Sequence, residues 1–275
     1  GTCHSAGMDA WIPITLAAAA AQTLRYMLQR HLSVTGLSAG GATFARFVYS
    51  APLVALLLLT YVTLRQVDLP AFSPRFWTFA VVGGVAQILA TVCIVLLFSL
   101  RNFAVGVTFK KTEVMLTALA GLVILGESVS LAGIVAIAIG LGGVMLLSRE
   151  KGGAWRLNRA AGLGLLSGVF FAISAVTYRG ATLALASPDA VLRAGTTLAM
   201  VTAVQSLILG VWLIWRERGQ FTATLRHWRI GVLVGVTSMI GSFCWFTAFT
   251  LQNAAYVFAL GQTELIFSIA ASVLF

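Results

Sequence analysis

The chain has 275 residues, of which only 9% are charged and 59% hydrophobic, and its mean hydropathy of +0.96 means far more apolar surface than one water-soluble core of this size can bury. A net charge of +10 invites a nucleic-acid partner, but the basic residues fall between the apolar runs, where they act as headgroup and topology signals. Composition therefore excludes a soluble domain, argues against nucleic acid as a partner, and points to a polytopic protein of the lipid bilayer.

In chain order, "GTCHSAG" precedes Met8, which reads as a natural initiator, so the first seven residues are expected to be upstream translation or a leftover of cloning. Apolar runs of roughly 20 residues, enough to cross a hydrocarbon core of about 30 Å, then recur with short polar breaks. Nine spans are expected, at 10–30, 38–63, 76–99, 103–125, 129–148, 161–184, 190–214, 229–251 and 254–275. They are expected as helices, because an open sheet cannot satisfy its backbone in lipid and the alternation of a barrel strand is absent. The small residues Ala17 to Ala20 resemble a signal cleavage region. No basic segment precedes them, however, and the run continues through Leu24, Tyr26 and Leu28, so an uncleaved first helix is expected.

Cysteine and histidine carry little chemistry. Cys93 and Cys244 fall inside spans, Cys3 lies near the end, and His4, His31 and His227 are scattered, so neither a disulfide framework nor metal-ligand spacing is present. Asp9, Asp68 and Asp189 are well separated, which argues against a membrane-embedded enzyme. No cofactor is expected.

The stretch "NFAVGVTFKKTE", residues 102–113, places two lysines and a glutamate inside an apolar run. Its meaning comes from an internal repeat. An offset of 151 residues superposes "FWTFAVVGGVAQILATVCIVLLFSLRNFAVGVTFKKTE" on "HWRIGVLVGVTSMIGSFCWFTAFTLQNAAYVFALGQTE" without a gap. Trp77 meets Trp228, Gly84 meets Gly235, Cys93 meets Cys244, Asn102 meets Asn253, Thr112 meets Thr263 and Glu113 meets Glu264. Shared hydrophobicity does not match Trp, Cys, Asn and an embedded Glu at one offset. Spans one and two match less cleanly, with Arg46 and Arg193 pairing after a shift of four residues.

Five spans in the first copy reverse the orientation of the second. The expected fold is thus an all-α inverted repeat of two five-helix halves, nine helices present and a tenth missing, with the substrate site between copies. The units are 8–148, a basic loop at 149–160, and 161–275, which stops where the partner of Leu125 to Glu127 should follow.

Ionised groups at membrane depth are costly unless paired, protonated or facing water. Glu113 and Glu264 occupy equivalent midspan positions. Helical spacing puts Gly106, Lys110, Glu113 and Thr117 on one face and turns Lys111 about 100° away. Gly261 and Gln262 stand where the first copy has Lys110 and Lys111, so Glu264 lacks a local cation, and Arg46 and Arg193 are the expected distant partners. Glu113 and Glu264 are expected on opposite sides of a central cavity. Candidate substrate- or proton-binding residues are Glu113, Glu264, Lys110, Lys111, Arg46, Arg193 and Gln262, with the aromatics Trp245, Tyr26 and Tyr178; Tyr256 is a further aromatic in a span. Two readings stay open: a structural ion-pair network that sets helix register, or groups that handle substrate or protons.

With two halves of five spans, an arginine near the start of spans two and seven, and "ALAGLVILGESVSLAGIVAIAIGLGGVMLLS" closing the first half, the chain resembles the drug/metabolite transporter superfamily in its EamA-like branch. The "LGE" at Leu125 to Glu127 is similar to that family's end-of-half pattern, and the resemblance runs from Met8 through nearly the whole chain. It implies an inner (plasma) membrane, multi-pass carrier, monomer or homodimer, that exports or exchanges a small metabolite such as an amino acid without a prosthetic group. A passive channel or a non-transporting assembly protein is the alternative. Orientation divides the signals. Arg149, Lys151, Arg156, Arg159, Arg216, Arg218, Arg226 and Arg229, set against Arg65 and Arg75, place the N-terminus outside, whereas the resemblance implies a cytoplasmic N-terminus.

Overall fold

A computed structural model describes residues 10–100, 103–147 and 159–267. Among the described residues every regular element is a helix: α1 (Trp11–Val34), α2 (Ala39–Arg65), α3 (Pro74–Phe98), α4 (Phe103–Lys110), α5 (Glu113–Leu125), α6 (Leu131–Leu147), α7 (Arg159–Leu183), α8 (Ala190–Arg216), α9 (Gln220–Arg226), α10 (Trp228–Leu251) and α11 (Ala254–Gly261). Cys3, Asp9, Asn102, the basic residues Arg149, Lys151 and Arg156, and the chain end after Phe267 lie outside the described residues.

Five helices, α2, α3, α7, α8 and α10, are long and apolar enough to cross a membrane, so the molecule is a helical membrane protein. Their starts are written in the sequence. The Ser38 hydroxyl accepts from the Gly41 N–H at 3.0 Å, and Ser73, followed by Pro74, accepts from the Phe76 N–H at 3.1 Å. Asp189 accepts from the N–H groups of Val191 and Leu192 at 2.9 and 3.2 Å. The "LGE" sequence is a helix stop. Gly126 sits at φ +70°, its N–H reaches Leu122 O at 3.1 Å, and the Glu127 N–H reaches Gly121 O at 3.1 Å.

The structure departs from nine uninterrupted apolar spans in two respects. First, α1 is long but polar on its inner side: Arg25 and Gln29 are buried while Leu24 and Met27 are exposed. Second, the runs at 103–125 and 254–275 are broken. The Lys111 and Thr112 N–H groups reach back three residues to Thr108 O and Phe109 O, and helix resumes at Glu113. At the offset of 151, the Gln262 and Thr263 N–H groups reach Ala259 O and Leu260 O, and helix resumes at Glu264. Both breaks are single tightened turns of 3₁₀ type.

Packing joins early helices to late ones: α3 lies along α7, α10 along α1, and α2 against both α8 and α10. Both α4 and α5 pack on α7, and α11 packs on α1 and α5. Glycine permits the tightest crossing, since a Cβ on Gly164 of α7 would run into the Gly106 backbone of α4. The buried core includes Phe76, Phe171, Tyr178, Phe246 and Phe249, while Leu56, Leu59, Val123, Leu207 and Trp215 are exposed as a lipid-facing surface requires.

Candidate functional site: a buried charge cluster beside an aromatic cavity

The two helix breaks meet. Lys110 ends α4 and Glu113 begins α5, so each charge suits the helix end it occupies, a cation at the carbonyl end and a carboxylate at the N–H end. Lys110 Nζ lies 3.0 Å from Glu113 Oε1 and 3.9 Å from Glu264 Oε2, and Lys111 Nζ lies 3.6 Å from the same Glu264 oxygen. The Gln22 side-chain amide of α1 donates to Glu264 Oε2 at 2.9 Å, and Arg25 donates to Gln22 Oε1 at 3.2 Å. All four charged residues of the two breaks are buried, as is Arg25. Lys110 Nζ also lies 5.0 Å from the ring centre of Phe171 and 6.0 Å from that of Tyr26, with the Arg25 guanidinium 4.6 Å from the Tyr26 centre.

Three expectations are corrected here. Glu264 does not lack a cation, because Lys110 and Lys111 are supplied across the interface; the 100° turn that takes Lys111 off the Glu113 face aims it at Glu264. Glu113 and Glu264 do not sit on opposite sides of a cavity but share Lys110. Neither arginine is Glu264's partner in an ion pair. Arg193 is half-buried near the start of α8, with Asp189 and Arg179 as its charged neighbours, and it does not join the cluster.

Arg46 instead belongs to a cavity next to the cluster. Its Nε donates to Ser238 at 3.1 Å, and its terminal nitrogens donate to Thr91 at 2.9 Å and to Ser242 at 3.5 Å. Thr91 and Ser242 are equivalent at the offset of 151, so both copies contribute a hydroxyl to one guanidinium. The cavity has a volume of about 340 Å³, part of it open to solvent, and only a small share of that space clears the walls by a water's radius. That is room for roughly one or two waters, so a larger ligand requires the walls to move. Its wall includes Gln22, Arg46, Gln87, Ser174, Tyr178, Ser242, Trp245 and a set of phenylalanines. Gln22 therefore faces the cavity and touches Glu264, which makes it the physical link between the two sites.

The aromatic candidates separate. Trp245 lines the cavity, stacked on Phe249 with centres 5.7 Å apart, and its buried Nε1 has no hydrogen-bond partner. Tyr178 also lines it, donating to Gln87 Oε1 at 2.9 Å and accepting from Gln205 at 3.2 Å. Tyr26 packs edge-on against Phe98 beside the cluster. Tyr256 is elsewhere, accepting from the Ser130 N–H at 3.1 Å. Gln262 donates to Phe258 O at 3.2 Å.

Gln22, Arg25, Gln87, Ser174 and Ser242 were not among the sequence candidates. The signal for the first two was available: Gln22, Arg25 and Gln29 lie at i, i+3 and i+7, one helix face within an otherwise apolar run. Lone serines and a lone glutamine in membrane helices give no comparable signal.

No family model and no curated protein matches the chain. Solved structures do match. A crystal structure of a protein superposes with a TM-score of 0.70 at 13% identity, covering 97% of this chain and 88% of that chain. At that identity the likeness establishes a shared fold and nothing about activity.

Proposed function

We propose that the chain is a secondary-active carrier of the drug/metabolite transporter type, EamA-like branch, that exports or exchanges a small metabolite across a plasma membrane by alternating access. In this reading residues 8–148 and 161–275 are two copies of one unit, inserted in opposite orientations. The observation that carries it is the pair of helix breaks at one fixed offset, each followed by a buried carboxylate, which converge on Lys110 beside the cavity. Broken helices at membrane depth persist where protein or a cavity satisfies them, and carriers place their binding sites there. The cavity has room for only a water or two, which favours a carrier over an open pore, since a larger ligand enters only when the walls move.

Counterflow in proteoliposomes is the test. A carrier loaded inside with unlabelled substrate accumulates labelled substrate transiently and saturably. A channel equilibrates the label without overshoot, and an assembly protein does neither.

A further inference from the structure

Resting on the reading of the cavity as a carrier's binding site, we infer that its ligand is an organic anion, a carboxylate-type head on an aromatic or otherwise apolar body, rather than an amine or a zwitterion.

Charge balance supplies the argument. Among the described residues the buried charged side chains are Arg25, Arg46, Lys110, Lys111, Glu113 and Glu264, four cations against two carboxylates. Glu113 pairs with Lys110 through Oε1, its Oε2 having no hydrogen-bond partner, and Glu264 is held by both lysines and Gln22, so neither carboxylate forms an ion pair with an arginine. Buried cations without counter-charge are costly, and an anionic ligand offsets that cost. Arg46 stands on the cavity wall hydrogen-bonded to neutral hydroxyls, with the Phe47 ring centre 5.1 Å away, and its longest bond, 3.5 Å, goes to Ser242 on the same wall. A carboxylate accepts from a guanidinium in a two-pronged geometry that a hydroxyl cannot match.

One further donor stands ready: Trp245 Nε1 on the wall has no hydrogen-bond partner. The wall carries no carboxylate that would receive an ammonium group. Its remaining surface is largely aromatic, including Phe171, Phe246, Phe249 and Phe258, which suits a flat apolar body.

The test is an equilibrium binding series on the full chain in lipid nanodiscs. The ligands share one body and differ in the head: 3-phenylpropionate, 2-phenylethylphosphonate, 3-phenylpropanamide, 3-phenylpropylamine and phenylalanine. The propionate binds tightest, and the amide, amine and amino acid bind at least about tenfold more weakly, the scale of a lost charge-assisted hydrogen bond. The phosphonate arm separates a general anion site, which holds it equally well, from one shaped for a carboxylate. Arg46→Gln abolishes the preference for the acid over the amide, with thermal melting run alongside to verify folding. Trp245→Phe weakens the acid severalfold while preserving the order.

Equal or tighter binding of the amine or of phenylalanine overturns the inference, as does failure of the wild-type protein to bind either anion. Acid binding without uptake in proteoliposomes upholds the inference and removes the transport reading. Uptake of amines or zwitterions in preference to acids does the reverse.

Discussion

Lys110 and Lys111 are adjacent in sequence, equally buried, and unequal in role. Lys110 holds both carboxylates, whereas Lys111 reaches only Glu264, which keeps Lys110 and Gln22 without it. Lys110→Met strands Glu113 and is expected to cost about 3–5 kcal/mol, the usual penalty for breaking a buried pair. Lys111→Met removes one of four buried cations from a site with too few anions and is expected to be near neutral. Melting of the purified variants measures the difference, and equal losses contradict this division of labour. Asp189 makes a second residue-scale case. Burial disfavours its charge, but hydrogen bonds from Tyr61, at 2.6 Å, and from the Leu192 and Val191 N–H groups outweigh it and hold its pKa below the ordinary carboxylate value. A depressed carboxylate contributes stability above its unfolded pKa of about 3.9 and loses it as pH falls through the lower folded value. Asp189→Asn should therefore flatten the acid limb of a melting-temperature profile, and an unchanged limb removes Asp189 from the acid response. At this scale the legible residues were those whose charge was out of place in lipid. Serines and glutamines on the cavity wall were not, because a membrane helix tolerates them anywhere.

Among the helices, the break after Lys110 and the break after Gly261 were invisible to hydropathy, since the apolar residues on both sides read as one span. The first left a trace in the order of charges, Lys110 that suits a helix end and then Glu113 that suits a helix start, whereas the second left only Glu264. The closing turn after α5 was legible as "LGE", but the task of its glutamate was not. Arg179 of α7 donates to Glu127 Oε1 and Oε2 at 2.8 and 2.9 Å, and also to the backbone oxygens of Phe249 and Gln252 at the end of α10 at 2.6 and 2.8 Å. One side chain thus joins α7, the α5–α6 turn and the carbonyls that α10 leaves unpaired at its C-terminus. Arg179→Met is expected to destabilise by about 2–3 kcal/mol, the scale of hydrogen bonds to charged groups. Glu127→Gln keeps the backbone contacts and should cost less. Urea or thermal unfolding ranks the two, and the reverse ranking contradicts the assignment of the α10 carbonyls as the main anchor.

For the molecule as a whole, composition sufficed for a helical membrane protein, and the 151-residue offset relates the two helix breaks to each other, although both stretches were expected as unbroken spans. It did not anticipate which residues meet. The repeat was aligned within the chain, whereas contact depends on how early helices pack on late ones, as α3 does on α7 and α10 on α1. The central claim is that the convergence of Glu113 and Glu264 on Lys110 serves transport and not only assembly. The most direct measurement compares counterflow in proteoliposomes for Glu113→Gln and Glu264→Gln, with melting of the same preparations, using whichever ligand the binding series selects. The account predicts that each variant inserts and stays folded at the assay temperature, though it melts lower because a buried lysine loses a counter-charge, loses most of its uptake, and that the double variant transports no worse than either single one, because the two carboxylates act through one lysine. Normal uptake in both variants, or uptake lost only together with folding, contradicts it.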